Sequence, residues 1–467
     1  MSINNPDLGR TLLLEQLPIT PGVIVSYGLD IKVAAGHQVL DISTLQDSNQ
    51  ALTDVVAVVL YKPDTSLNPL ALFTQVLQAL AADGVLLIVD TFATHFTTLG
   101  ESRFNLLSDF LALATRFNFD LNINKTLFVN EGQKQTEVLL KFRKGTPPKW
   151  QLQYLNKQHL DNMLSLFELS FNTQMSKSLW QWKYGSEQAS EVCVWEQETL
   201  IAHYGGMPRH ILFFGEKRMA IQIGDVMVNP SHRGALRRTG PFFMMAATFM
   251  ERYTGFGKPF VISFGFPNDR AMKVAAHLNL YDSLGHMEQL SWPPLSKHPK
   301  LLTTLRVIDQ NSMVNFKHAI NSLWQHMADD LTTAIVGVRD YNYIIDRYVN
   351  HPENTYQILA VKSRFSNKFY SLIVIQIIGE HCHIIDVITP IKNLSLLIQY
   401  TQRFAQANRC TRIICQISNA FAQHFETTDC HREALNIQVA SDIWSKGPAV
   451  SILRHKFWLM SGDMDFR

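Results

Sequence analysis

The chain has 467 residues, enough for two to four domains at roughly 100–200 residues each. Hydrophobic residues make up 46% and charged residues 18%, with 28 Phe, 13 Tyr and 8 Trp, so general disorder is excluded. Lys and Arg total 42 against 40 Asp and Glu, a formal charge of +2, which excludes a strongly basic coat for nucleic acid. Five dilute cysteines with no CxxC fit a reducing compartment better than a disulfide framework. The N-terminal stretch lacks a basic start followed by a long apolar run, so no signal peptide is expected. The longest apolar runs, such as VVAVVLY (55–61) and GVLLIVD (84–90), fall far short of the ~18 residues a membrane helix needs. These features predict a soluble, cytoplasmic, globular protein without a membrane span.

Residues 1–145 read as alternating strands and helices. VIVSY (23–27), QVLDIS (38–43), VVAVVLY (55–61) and VLLIVD (85–90) are short β-rich runs. Residues 69–82 have helical spacing and stop at Asp83-Gly84. A second helix is expected near 103–117, and TEVLLKFRK (136–144) closes the block as a strand. Such alternation predicts a mainly parallel sheet covered on both faces. Gly145-Thr146-Pro147-Pro148 then reads as a linker, because two prolines donate no hydrogen bonds and fix an extended path.

The run from Asp54 to "ADGVLLIVD" resembles the fourth strand, helix and fifth strand of class I S-adenosylmethionine methyltransferases. "FLALATRFNFDLN…TEVLLKFRK" resembles their C-terminal tail. A nucleotide site in such a sheet needs a glycine-rich turn after the first strand. Here that strand runs into Ser26-Tyr27-Gly28-Leu29-Asp30, with one glycine, and Asp41 alone imitates a ribose-binding acid. The block is therefore expected to be a degenerate, Rossmann-like docking or scaffolding domain, with S-adenosylmethionine not expected as a ligand.

Residues from about 150 to 467 read as one unit written twice. The first copy has Trp182-Lys183-Tyr184, a strand ending Gly224-Asp225-Val226-Met227-Val228-Asn229-Pro230, a helix over 241–253 and FVISFGFPN ending at Asn268. The second has Asp346-Arg347-Tyr348, Ile385-Asp386-Val387-Ile388-Thr389-Pro390, a helix over 394–407 and RIICQISN ending at Asn419. Fixed order at similar spacing suggests duplication; two ordinary α/β units are the alternative.

The loop between strand and helix in the first copy carries Arg233, Gly234, Arg237, Arg238 and Gly240, with Pro241 fitting the first helical turn. A glycine turn feeding a helix N-terminus presents backbone N–H groups and the positive end of the helix dipole. Arginines add forked donors for phosphate oxygens. The combination suits a di- or polyphosphate anion, against the plainer reading of a solvated basic loop.

This segment resembles the acetyl-CoA motif of the GNAT superfamily of N-acetyltransferases. Arg237-Arg238-Thr239-Gly240-Pro241-Phe242 fits the Arg-x-x-Gly half of that motif, and "VNPSHRG" its usual lead-in. "ISFGFPNDRAMKVAAHLNLY" (262–281) is similar to a GNAT branch with a Gly-x-Pro-Asn signature that includes Asn268. "WLMSGDMDFR" (458–467) and the Arg339-Asp340…Arg347-Tyr348…His351-Pro352 segment resemble bacterial tandem-GNAT proteins. The resemblance implies three blocks, 1–145, 150–295 and 300–467: an α/β methyltransferase-like domain followed by tandem α+β GNAT folds. It implies acetyl-CoA as co-substrate, with the pyrophosphate on the amides of about Arg237 to Phe242 and pantetheine along Val226, Met227 and Val228. In the second copy ITPIKNLSLL (388–397) stands where the loop should be, without glycine or arginine, so no cofactor is expected there.

Acetyl transfer to an amine needs a base, an aligned thioester and a donor for the oxyanion. Asp225 or Glu251 could supply the base, or water alone. The family's usual tyrosine position falls on Ala275, leaving His277 and Tyr281 as nearby substitutes. Asp225 also reads as a strand-end carboxylate that bonds backbone, and His277 as a surface helix residue. Trp180, Trp182 and Tyr184 either line an acceptor pocket or belong to the core. His381 and His383 would share a strand face at i, i+2, but with Cys382 they do not make a zinc site, so no metal is expected. The acceptor is expected to be an amine of a small molecule or protein, with homodimerisation left open. A degenerate methyltransferase-like region followed by a GNAT also resembles the starter-loading region of some polyketide synthases, which implies as an alternative acyl transfer or decarboxylation on an acyl carrier protein, with Thr239 or His277 as donor. A non-catalytic CoA-binding scaffold is the other alternative.

Overall fold

The computed structural model describes residues 8–32, 36–46, 52–63, 68–96, 99–102, 104–155, 157–234, 237–296, 302–366 and 368–464. It is a mixed α/β chain that divides into two compact units. The first is Met1–Thr173 with Glu191–Tyr204 and Val226–Lys258; the second is Gln174–Ser190 with Gly205–Asp225 and Pro259–Arg467.

In the first unit, β1 (Val23–Tyr27), β2 (Gln38–Asp41), β3 (Val55–Tyr61), β4 (Leu80–Ala93), β5 (Phe119–Asn130) and β6 (Gln135–Lys144) form a sheet of order β2-β1-β3-β4-β6-β5. The β1–β2, β1–β3 and β3–β4 pairs are parallel, whereas β6 runs antiparallel to both β4 and β5. The expected parallel sheet is thus present with an antiparallel hairpin at one end. The central strands are apolar on both faces: Ile24, Ala57, Val59, Leu87 and Leu139 pack with Leu13 on one side. Phe73, Phe110, Phe117 and Phe119 form an aromatic cluster, with Phe73 5.2–5.6 Å from each of the others. The first helix ends at Ala79 rather than at 82, because Leu80 already has extended backbone. The second runs Leu107–Arg116, and Arg103 of the expected helix lies outside the described residues. Gly28 has φ +72°, and a Cβ there would lie 2.2 Å from the Tyr61 carbonyl oxygen. Only glycine allows β1 to leave the sheet so close to the end of β3.

The same unit holds β7 (Gln151–Gln153), most of β8 (Ser190–Glu196) and the start of β9 (Thr199–Phe213). It also contains the last residues of β10 (Glu216–Val228) and the Pro241–Tyr253 helix, which lies where the sequence places it. That helix packs on the Leu107–Arg116 helix. Arg116 reaches Glu251 with two parallel bonds of 2.5 and 2.7 Å and also touches Thr248 at 3.2 Å. Lys258 pairs with Asp109 at 2.9 Å.

The second unit contains the rest of β9 and β10, then β11 (Ser263–Gly265), β12 (Tyr281–Trp292), β13 (Thr303–Ile308), β14 (Ile335–Gly337) and β15 (Gln357–Ser363). They are followed by β16 (Phe369–Ile378), β17 (His381–Ile388), β18 (Arg412–Ser418), β19 (His431–Asp442) and β20 (Phe457–Trp458). Their order is β13-β15-β16-β17-β18-β12-β19-β11-β10-β9-β14-β20. β12, from the 150–295 block, lies between β18 and β19, both from the 300–467 block, and is antiparallel to each. The two blocks therefore share one sheet through interleaved strands. The core below it gathers Trp292, Trp324, Leu359, Ile398 and Trp458. Residues 465–467 of the C-terminal motif lie outside the described residues.

Burial pushes the Asp90 carboxyl on β4 up to about 7, and Glu137 adds to the rise. An unfolded aspartate titrates near 3.9, so the folded state holds the extra proton between those values. Stability should fall as pH rises from about 4 to about 7. Asp90→Asn should therefore be more stable than wild type at pH 8 and no more stable at pH 4. Urea midpoints at the two pH values check this.

Candidate functional site

The donor loop belongs to the first unit. Val226 to Val228 close β10, and the Asn229 N–H donates to the Ile201 carbonyl at 2.8 Å. The Asn229 side chain accepts from Ser231 N at 3.1 Å and starts a short turn, Pro230–His232. His232 bonds Glu196 at 2.8 Å. Arg233 directs Nε to the Val228 carbonyl at 2.9 Å and Nη2 to the Ser170 carbonyl at 3.4 Å, so its guanidinium fastens the loop to its own strand. Gly234 has φ +101° with open space around it, the left-handed turn expected of a glycine there. Ala235 and Leu236 lie outside the described residues.

Arg237, Arg238 and Thr239 are exposed. The Arg238 guanidinium lies 5.9 Å from the centre of the Phe243 ring. Gly240 caps the helix without a side-chain acceptor, Pro241 opens it, and Phe242 is half-buried. Behind this turn Phe243 to Glu251 are all buried, so the helix is anchored in the core while its N-terminus carries the arginines. A well-held helix end beside exposed cationic side chains is an arrangement that suits an anion.

The residues proposed for chemistry lie in the second unit. Asp225, the last residue of that unit before the loop, has φ +48° and bonds two side chains. Its Oδ2 accepts from Lys183 Nζ at 2.6 Å and from the Tyr184 hydroxyl at 2.7 Å. Both side chains of the ion pair are under 10% exposed. Lys183 and Tyr184 come from the Lys177–Tyr184 helix, capped by Ser176. Asn268 caps the next helix, Asp269–His277, by accepting from Ala271 N at 2.9 Å. His277 is the exposed last residue of that helix, and Tyr281 opens β12 opposite Asp442. Glu251 is committed to Arg116 and is a structural anion rather than a base.

The second unit also encloses a cavity of about 560 Å³. Trp182 and Lys183 line it together with parts of β9, β10, β14 and the 340–347 segment. Asp225, Asn268, His277 and Tyr281 are not among the lining residues. Of the three aromatic candidates, Trp182 faces the cavity, whereas Trp180 and Tyr184 are core. His381 and His383 lie 6.4 Å apart on one strand face. Among the described residues no group of three or more His, Cys, Asp or Glu could hold a metal ion, and no helix is long and apolar enough to cross a membrane.

The model of the acetyltransferase (GNAT) domain matches residues 151–272. The chain carries a GNAT acetyltransferase domain. The match contains the strand, the arginine–glycine loop and the helix described above, and it makes the chain an acyltransferase of the GNAT type. A comparison with curated proteins returns no match. Among solved structures, the chain is similar to a probable N-acyltransferase from Enterococcus faecalis V583 at 13% identity and TM-score 0.48, over 62% of this chain and 72% of that one. It is similar to a GCN5-related N-acetyltransferase from Kribbella flavida at 14% identity and TM-score 0.47, over 62% and 70%. A Saccharomyces cerevisiae N-myristoyltransferase with bound myristoyl-CoA is similar at 9% identity and TM-score 0.42, over 65% and 82%.

Sequence reasoning found the loop but missed the partners of Asp225 and Glu251. Removing Lys183 as Lys183→Met would leave the Asp225 carboxylate buried without its cation, for an expected loss of about 3 kcal/mol. Tyr184→Phe removes one hydrogen bond and should cost about 1 kcal/mol. Denaturant midpoints of the two variants check the order and the sizes.

Proposed function

We propose that the GNAT domain transfers an acyl group, in the simplest case acetyl, from acyl-CoA to an amine of a small molecule or protein. The observation that carries this reading is the family match over a strand, an Arg/Gly loop and a firmly anchored helix. The pyrophosphate of coenzyme A would lie on the backbone of Arg237 to Phe242, with Arg237 and Arg238 supplying cations. Val226 to Val228 would offer strand backbone to pantetheine. The exposure of both arginines and the bare glycine cap support that fit.

In the reaction water takes a proton from the ammonium, the neutral amine attacks the thioester carbonyl carbon, and the nitrogen then loses its surplus proton to water. The C–S bond then breaks, and the thiolate of coenzyme A takes a proton. Asp225 is held by Lys183 and Tyr184, so we assign it a positioning role at the point where β10 enters the loop. His277 and Tyr281 remain the proposed sources of the proton. We propose further that residues 1–145 are a methyltransferase-like docking domain, that 150–295 and 300–467 are duplicated GNAT folds, and that only the first binds acyl-CoA. The strand order around β3 and β4 supports the first point. The pairing of Tyr184 with Asp225 and of Tyr348 with Asp386, both at 2.7 Å, supports the second. A cytoplasmic setting completes the proposal.

Calorimetry with acetyl-CoA, malonyl-CoA and S-adenosylmethionine tests the reading. Acetyl-CoA should bind, and Arg238→Ala should weaken it about tenfold through the loss of a charge-assisted bond. Gly240→Asp should abolish binding while keeping the helix, because Asp is a favoured N-cap that places a negative charge on the anion site. Tighter binding of malonyl-CoA would favour action on a carrier protein, and absence of acyl-CoA binding would overturn the proposal.

A further inference from the structure

The cavity in the second unit has the size of a small-molecule site, which ordinarily falls at roughly 300–1,000 Å³. Its apolar lining includes Met207, Phe264, Ile335 and Phe457, and the rings of Phe264 and Phe457 stand 5.7 Å apart. Arg209, Lys217 and Arg218 come from β9 and β10, Lys183 from the Lys177–Tyr184 helix, and the carboxylates Asp340 and Asp346 from the segment 340–347, which also supplies Arg347. Arg209 is oriented by its Nε bond to Gln222 Oε1 at 2.8 Å, and Gln222 is fully buried. Arg218 is held by Glu216 at 2.6 Å.

Lys183 pairs with Asp225 at 2.6 Å, and Asp340 uses its Oδ1 to accept from Tyr343 N at 2.9 Å. Asp463 pairs with Arg339. Arg347 bonds the carbonyls of Gly462 and Met464 at 2.7 and 2.8 Å, and its guanidinium lies 4.8 Å from the centre of the Trp182 ring. Trp182 in turn donates to the Asp346 carbonyl at 2.9 Å. The backbone over Ile345–Val349 is a single π-helical turn, a conformation that recurs at functional sites. That turn brings Arg347 into the wall and presents Asp346 beside Trp182.

We propose that this cavity takes the acyl acceptor and that the acceptor is a zwitterion: an amine that also carries a carboxylate and a ring-sized apolar body, as in an aromatic amino acid. The ammonium lies toward Asp346 and Asp340, the carboxylate toward Arg209 and Lys217, and the ring over Phe264 and Phe457. This rests on the acyl-transfer reading for the word acceptor, but the binding site does not depend on it.

Binding to the full chain without any acyl donor separates the two. The probes are L-phenylalanine, phenethylamine, which lacks the carboxylate, and 3-phenylpropionate, which lacks the amine. L-phenylalanine should bind at least tenfold more tightly than either analogue. Asp346→Asn should weaken L-phenylalanine and phenethylamine but leave 3-phenylpropionate unchanged, and Lys217→Met should weaken L-phenylalanine and 3-phenylpropionate but leave phenethylamine unchanged. Equal binding of the three probes, no binding of any, or insensitivity to both variants would overturn the site. Release of coenzyme A thiol from acetyl-CoA in the presence of L-phenylalanine supports the acceptor role. Binding without release, in a protein that binds acetyl-CoA, would overturn that role alone, whereas failure of acetyl-CoA to bind would count against the acyl-transfer reading.

Discussion

A buried aspartate near the end of a strand must find donors, and the second unit meets that constraint twice. Asp225 takes Lys183 and Tyr184. Asp386, fully buried, takes Arg339 at 2.9 Å, Tyr348 at 2.7 Å and Tyr343 at 3.1 Å. An unpaired carboxylate in either place would cost several kcal/mol, so each strand end is fixed by the helix that supplies its tyrosine. From these two fixed points the chain then diverges. After Asp225 it enters a loop of arginines and glycines before its helix. After Asp386 it passes Pro390 and a short turn, Ile391–Asn393, directly into the Leu394–Ala407 helix. The frame is similar in both, and only the first carries the groups that favour a polyphosphate.

The first unit explains why that loop could work as a fixed site. Its helix is buried from Phe243 to Glu251, and Arg116 of the 1–145 block closes on Glu251 from the side. A bidentate pair of this kind fixes orientation as well as distance. The N-terminal block thus braces the helix that follows the arginine–glycine loop. The approach of Gly28 to Tyr61 fits the same picture, because the chain there is packed against backbone.

Much of the local structure was legible because local chemistry decided it. Val23–Tyr27 and Val55–Tyr61 are short apolar runs between breakers, and Pro241–Tyr253 and Leu394–Ala407 carry helical spacing from start to stop. β5 was not legible: it is an edge strand whose pattern is mostly exposed, so no alternation of buried residues marks it. The interleaving of β12 with β18 and β19 was hidden as well, since strand pairing across the blocks leaves no trace in local periodicity. The same holds at the site. The loop announced itself through Arg and Gly within a few residues, but Glu251 meets a partner 135 positions away and Asp225 one 41 positions away. The cavity joins segments from positions 182 to 463. Only the Trp182–Tyr184 aromatics hinted at it, and they did not show which ring faces inward.

The central claim is that backbone at 226–228 and 237–242 binds coenzyme A. Amide hydrogen exchange with and without acetyl-CoA measures it directly, residue by residue. The account predicts slowed exchange in those two stretches, centred on the first turn of the Pro241–Tyr253 helix, and little change at 388–397. Unchanged exchange at 226–228 and 237–242 under saturating acetyl-CoA would contradict it.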